Sequence, residues 1–178
     1  MSIALRAPEP LLPDILAPDL DVVFIGAAPS PCAARLGHYY AGRGNRFWQL
    51  LFQAGLTPRE LDASEDSTVL RYGIGLTAIL PQCISTMNCL LPPPTDEDRA
   101  ALFEKLRHYG PRILCYNGKD VYRMCMGEAD PPWGLQSDDF DGMLTYVVHS
   151  SSGRADRWAA DRLLLYRELG QLVRGLAR

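Results

Sequence analysis

Four short runs of β-branched and aromatic residues alternate with segments of helical spacing, and this alternation constrains the fold more than any other feature. The runs are DVVFI (Asp21–Ile25), GIGLTAIL (Gly73–Leu80), RILCYNGK beginning at Arg112, and LTYVV (Leu144–Val148). DVVFI closes on Gly26, as a strand buried in a parallel sheet does. Phe47 to Ala54 has helical character, with Gly55 as its stop. Thr95 precedes Asp98 by three residues, an approximate capping box. Leu102, Phe103, Leu106 and Tyr109 then follow at helical spacing until Gly110-Pro111. A long closing helix is expected over 154–176, with Trp158, Leu165, Leu169 and Leu172 on or near one face. Strands alternating with helices predict a three-layer α/β/α fold around a mainly parallel sheet of four to five strands. Residues 1–13 are Pro-rich and expected to form a flexible tail, leaving 14–178 as a single domain.

The bulk properties narrow the function classes. A chain of 178 residues, 47% hydrophobic, suits one well-buried core. A net charge of -3 argues against a surface that grips nucleic acid all over, while leaving a local basic face open. No apolar run is long enough to span a bilayer, and prolines interrupt the stretch where a signal peptide would need apolar residues. No membrane partner is expected, and the location is expected to be cytoplasmic. Cys32, Cys83, Cys89, Cys115 and Cys125 form no C-x-x-C pair, and His38, His108 and His149 are scattered. These spacings suit reduced, buried thiols, with no metal and no cofactor. Ser137–Gly142 reads as a solvated acidic turn.

In a parallel sheet, ligands bind beyond the carboxyl ends of the strands. The segments expected there are GAAPSPCAARLGHYY, LPQCISTMNCLLPPP, NGKDVY and HSSSGRAD. Glycines and alanines let a flat ligand approach the backbone, and Tyr39 and Tyr40 offer faces for a planar ring. Serine hydroxyls and backbone N–H groups before a helix suit phosphate. Arg35, Arg43, Arg46, Arg154 and Arg157 bias these loops positive. Together they read as a site for a phosphate and a base.

The same segments, with DILAPDLDVVF, NRFWQLLFQAGLTPREL, PPWGLQ and YRELGQLV, resemble the mismatch-specific uracil-DNA and thymine-DNA glycosylases of the uracil-DNA glycosylase superfamily. The likeness runs from about Asp14 to Val173 in the right order. It implies a monomeric enzyme that flips uracil out of double- or single-stranded DNA and hydrolyses its N-glycosidic bond without a cofactor. It further implies that Tyr40 stacks on the base and that Gly26, Ala27, Ala28 and Ser30 form the pocket reading its edge. Ser150, Ser151, Ser152 and Gly153 would grip phosphates, with Lys119 and Arg43 adding DNA contacts. Arg154 would fill the gap that the flipped base leaves.

The first motif departs from the family. Ala28 of GAAPS stands where the family has an asparagine that positions the attacking water. Ala78 likewise stands where many members carry a polar side chain. GAAPS…HYYAGRGNRFW is similar to the hypoxanthine-DNA glycosylase branch, which also lacks that asparagine and in which a later one is implicated. Asn45 is the matching candidate, either to orient water or to brace its loop. Asn88 either reaches the pocket or shapes a turn. His149 or Ser150 would take up charge on the leaving base. Two alternatives to uracil removal remain open at this point: excision of hypoxanthine or another deaminated purine, and a catalytically silent damage-binding module. A third, action on free nucleotides, fits the Arg154 wedge poorly.

Overall fold

A computed structural model describes residues 7, 9–127 and 130–176; residues 1–6 and 8 of the expected tail lie outside the described residues. Five strands form one sheet in the order β2-β1-β3-β5-β4. They are β1 (Val22–Gly26), β2 (Ile74–Ala78), β3 (Ile113–Asn117), β4 (Gly134–Leu135) and β5 (Leu144–Val148). All neighbours are parallel except β4, which runs antiparallel to β5.

Alternate side chains along each strand divide the core in two, as the period of a strand requires. Val22, Phe24, Cys115, Tyr146 and Val148 face helices α2 (Phe47–Gln53) and α5 (Ala159–Gly175). There the ring of Phe24 meets Phe47 edge-on at 5.1 Å and stacks on Tyr166 at 6.0 Å. Val23, Ile25, Leu114, Tyr116 and Val147 face α3 (Asp96–Tyr109) and α4 (Lys119–Met126). Burying each such side chain contributes about 1.5–3 kcal/mol before entropy is counted. The three-layer α/β/α expectation holds, with five strands in the sheet.

The α3 boundaries follow the residues named for them. The Thr95 hydroxyl accepts from Asp98 N–H while the Asp98 carboxylate accepts from Thr95 N–H, and Gly110 closes the helix at φ 56°. Other elements differ from expectation. Six residues, Pro31–Leu36, form α1, capped by Ser30, and residues 63–72 form a 3-10 helix. The segment after β3 is the helix α4 rather than a turn, because Gly118 at φ 120° reverses the chain and Val121 and Cys125 then face the core. The closing helix starts at Ala159, preceded by a separate 3-10 turn at Gly153–Trp158. Trp158 therefore stands off the core face that Leu165 and Leu169 occupy. Of the cysteines, Cys83, Cys115 and Cys125 are buried as expected, whereas Cys32 is half-buried and Cys89 exposed.

The described part of the segment read as a tail is attached to the loop that follows β2. Ala7 and Leu11 N–H donate to the carbonyls of Gln82 and Pro81, and Leu12 is buried. Ile15 then pairs with Leu76 of β2 in both directions, at 3.0 and 2.8 Å. No helix among the described residues is long and apolar enough to cross a membrane.

Candidate active site

Register aligns the strand ends: Gly26 lies beside Ala78, and Asn117 beside Val148. A cavity of about 550 Å³ opens over this edge, walled by the segments that leave β1, β2, β3 and β5. Gly26, Ala27, Ala28 and Ser30 are on its wall, as is Ala78. The Ser30 hydroxyl accepts from Ala33 N–H at 3.1 Å, so it caps α1 as well as facing the cavity.

Tyr40 is held from several sides. Its backbone takes φ 54°, a left-handed conformation uncommon for a bulky residue. Its ring stacks on Phe47 at 3.9 Å. The preceding N–H, on Tyr39, donates to Asp66 Oδ2 at 2.9 Å, and His38 Nδ1 lies 3.3 Å from Asp66 Oδ1. The Tyr40 hydroxyl is buried and meets no hydrogen-bond partner among the described residues. Burial pushes its acidity constant well above the usual phenol range, with the nearby Asn117 amide acting in the opposite sense. A Cβ on Gly26 would sit 3.5 Å from that hydroxyl oxygen, in ordinary van der Waals contact with it.

Both asparagines named as substitutes for Ala28's missing amide, Asn45 and Asn88, share its wall. Asn45 Oδ1 accepts from Phe47 N–H at 3.0 Å, bracing the entry to α2. Asn88 Oδ1 accepts from the Ser85 hydroxyl at 3.0 Å, and Ser85 N–H donates to Pro29 O at 2.8 Å. That second bond ties the Asn88 loop to the first-motif turn.

The serine loop is built around a buried centre. Ser151 is 0% exposed. Asn117 Nδ2 donates to the Ser151 hydroxyl and Asn117 Oδ1 accepts from Ser151 N–H, both at 3.0 Å. Ser151 is thus braced by Asn117 through both its hydroxyl and its N–H. Buried Arg162 donates to the carbonyls of Ser150 and Ser152, each at 3.2 Å, and to Asp156 at 2.8 Å. Asp156 also pairs with Arg46, and these two arginines hold its carboxyl below the ordinary range. Arg46 N–H donates to Ser151 O at 2.8 Å, joining the NRFW turn to the serine loop. Gly153 makes that junction possible: a Cβ there would lie 2.6 Å from Gly44 O. Ser150, Ser151, Ser152 and Arg154 all line the cavity.

Other expected site residues stand apart. His149 is not on the cavity wall; its ring is sandwiched between Trp133, at 3.8 Å, and Trp158, at 5.7 Å. Burial lowers its pKa, and Arg162 and Lys119 add to this against Asp161. Lys119 pairs with Asp130 at 3.3 Å, outside the cavity, and Arg43 is exposed on the neighbouring loop. Gly153 packs under the wall rather than on it. Sequence reasoning missed Asn117 and Asp120, both on the wall. The NGKDVY segment signalled them, since it follows a strand at the ligand-binding edge.

The family model of the Uracil DNA glycosylase superfamily matches residues 13–170, and the chain belongs to that superfamily. A solution NMR structure from Methanosarcina acetivorans, provisionally assigned as a uracil DNA glycosylase, shares the fold with a TM-score of 0.62. It is 20% identical and the match covers 92% of this chain and 96% of that one. Superfamily membership points to a DNA glycosylase, a hydrolase that acts on DNA.

Proposed function

We propose that this chain removes uracil from DNA, leaving an abasic site. What supports it most directly is Asn45, an amide fixed on the same cavity wall as Ala28, where the first-motif asparagine is missing. The flipped base lies against Tyr40, and the backbone around Ala27 and Ser30 reads its edge. Arg154 fills the vacated stack, offsetting the few kcal/mol, on the order of one base step, that flipping costs. Ser150, Ser152 and nearby N–H groups hold the flanking phosphates. The bond from the anomeric carbon to the base nitrogen breaks, and the electron pair leaves with the base. Ser150 and backbone N–H groups stabilise that anion. Water, guided by Asn45 or Asn88, adds its oxygen to the anomeric carbon, and the proton it loses passes through solvent to the departed base anion, giving neutral uracil and an abasic sugar. Asp120, a wall carboxylate, is suited to the cationic sugar. His149, enclosed by tryptophans, is left out of the chemistry.

The cavity volume and the alanines at 27, 28 and 78 favour a second reading, removal of hypoxanthine. One experiment separates these. A labelled oligonucleotide with a single uracil or hypoxanthine, single-stranded or opposite guanine or adenine, is incubated with the protein and treated with alkali. Strand scission at uracil is expected. Faster scission at hypoxanthine would favour the second reading. Tight binding without scission would make the chain a damage-binding module.

A further inference from the structure

Beyond the cavity lies a second aromatic cluster. Trp133, His149 and Trp158 form a ladder of three rings, with centroids 3.8 and 5.7 Å apart and interplanar angles of 31° and 11°. The histidine in the middle is buried, but the tryptophans at the ends are 40% and 45% exposed. Two half-exposed tryptophans joined through one buried ring make a contiguous apolar patch, which is informative where a single exposed ring is not. Each has a cation over it: Lys119 Nζ lies 4.8 Å from the Trp133 ring centre, and Arg157 Cζ 5.5 Å from that of Trp158. Trp158 and Arg157 are also on the cavity wall, so the ladder continues outward from the site. Trp158 ends the 3-10 turn that carries Arg154.

We infer that Trp133 and Trp158 form a second nucleobase-binding shelf, which stacks an unpaired base of the strand beside the flipped nucleotide. The inference rests on the reading of the cavity as a site for DNA. Tryptophan faces with interleaved cations are the chemistry by which single strands are held without regard to sequence: rings take the bases, and lysine or arginine the phosphates. His149 fixes the spacing of the two rings. Lys119 and Arg157 swing from the rings to the backbone as bases arrive.

The test uses the full chain and a fluorescein-labelled oligothymidylate of about twelve nucleotides, which contains no uracil. Two readouts are taken: quenching of tryptophan emission and anisotropy of the label. Trp48, the remaining tryptophan, is buried in the core and reports little. Saturable quenching is expected for the parent chain. Trp133→Leu and Trp158→Leu should each weaken binding about fivefold to a hundredfold, the effect of losing one stacked base, and Trp→Phe at either position should recover most of it. Parent protein that binds without quenching, or leucine variants that bind as tightly as the parent, would overturn the shelf. If a leucine variant fails to fold, the phenylalanine variants decide: near-parent affinity with a smaller quenching amplitude in each supports the shelf, and unaltered quenching in both overturns it. Base release from uracil-DNA is assayed alongside. Shelf binding without base release would sink the glycosylase reading and keep the shelf; base release with no quenching would do the reverse.

Discussion

Asn117 and Ser151 exchange two hydrogen bonds through a single buried amide, one to the serine hydroxyl and one to its N–H, each at 3.0 Å. The end of β3 thereby sets the height of the serine loop over the cavity. Asn117→Ala should leave two buried groups of Ser151 without partners, at a cost of about 1–3 kcal/mol apiece. Chemical denaturation should show the loss. Asn117→Asp, which retains an acceptor for the N–H, should recover part of it. KM for uracil-DNA should rise more than kcat falls, since the loop positions DNA rather than reacting with it.

Asn45 has two duties that mutation can separate. Asn45→Ala should reduce base release by about 10²–10⁴, the usual contribution of a group that assists proton transfer or guides water. It should also cost about 0.5–1.5 kcal/mol of stability by removing the acceptor of Phe47 N–H. Asn45→Ser keeps an oxygen for that N–H and should restore stability while activity stays low. Recovery of both together would make Asn45 a brace only, and would turn attention to Asn88→Ala.

Gly153→Ala should be felt well beyond its one methyl group. The added carbon would stand 2.6 Å from a backbone carbonyl, Gly44 O, which has no side chain to move. Relief requires the serine loop to shift, at about 1–3 kcal/mol. Both melting temperature and DNA affinity should fall. Gly44→Ala makes a control, because a Cβ there meets nothing within 4 Å.

Arg154→Ala should discriminate between substrates. A wedge is needed only where a stack must be held open, so uracil release from duplex should drop about tenfold relative to release from a single strand, a fraction of the few kcal/mol that unstacking costs. Initial rates on the two substrates check this. An equal drop on both would assign Arg154 to phosphate contact.

His149 makes stability depend on pH in one direction. Its pKa in the folded protein lies below the ordinary 6.5, chiefly through burial, with Arg162 and Lys119 adding to that and Asp161 opposing. Between the lowered value and 6.5 the unfolded chain therefore holds more protons than the folded one. The contribution of the neutral ring is intact above 6.5 and is lost as pH falls through that window. Melting temperatures followed from about pH 8 to about pH 5 should decline less for His149→Phe, which keeps a ring between the tryptophans.

The sheet was legible because its strands announce themselves locally: Val22–Ile25 and Leu144–Val148 are runs of β-branched, aromatic and aliphatic residues, and Thr95 with Asp98 marks a helix start. That the loops gather at one edge followed from parallel pairing. Less legible was which way a polar side chain turns once there. Three consecutive serines look equivalent in sequence, yet Asn117, distant in the chain, draws the middle one inward. His149 looked like a pocket residue, but its neighbours Trp133 and Trp158 come from segments whose meeting no local pattern records. The α4 helix was hidden for the opposite reason: NGK reads as a turn, and Gly118 does make one, but only to aim the chain into a helix.

Ile15 exchanging hydrogen bonds with Leu76 has a consequence away from the cavity. A terminal strand presents an unpaired row of amides and carbonyls that another chain can copy. Here the stretch leading into β1 occupies part of that row on β2, while the other border ends in β4, two residues long. A sheet blunted on both flanks gives a neighbouring molecule little to template on, so crowding at a damaged site brings the risk of collision without the risk of strand-to-strand fusion.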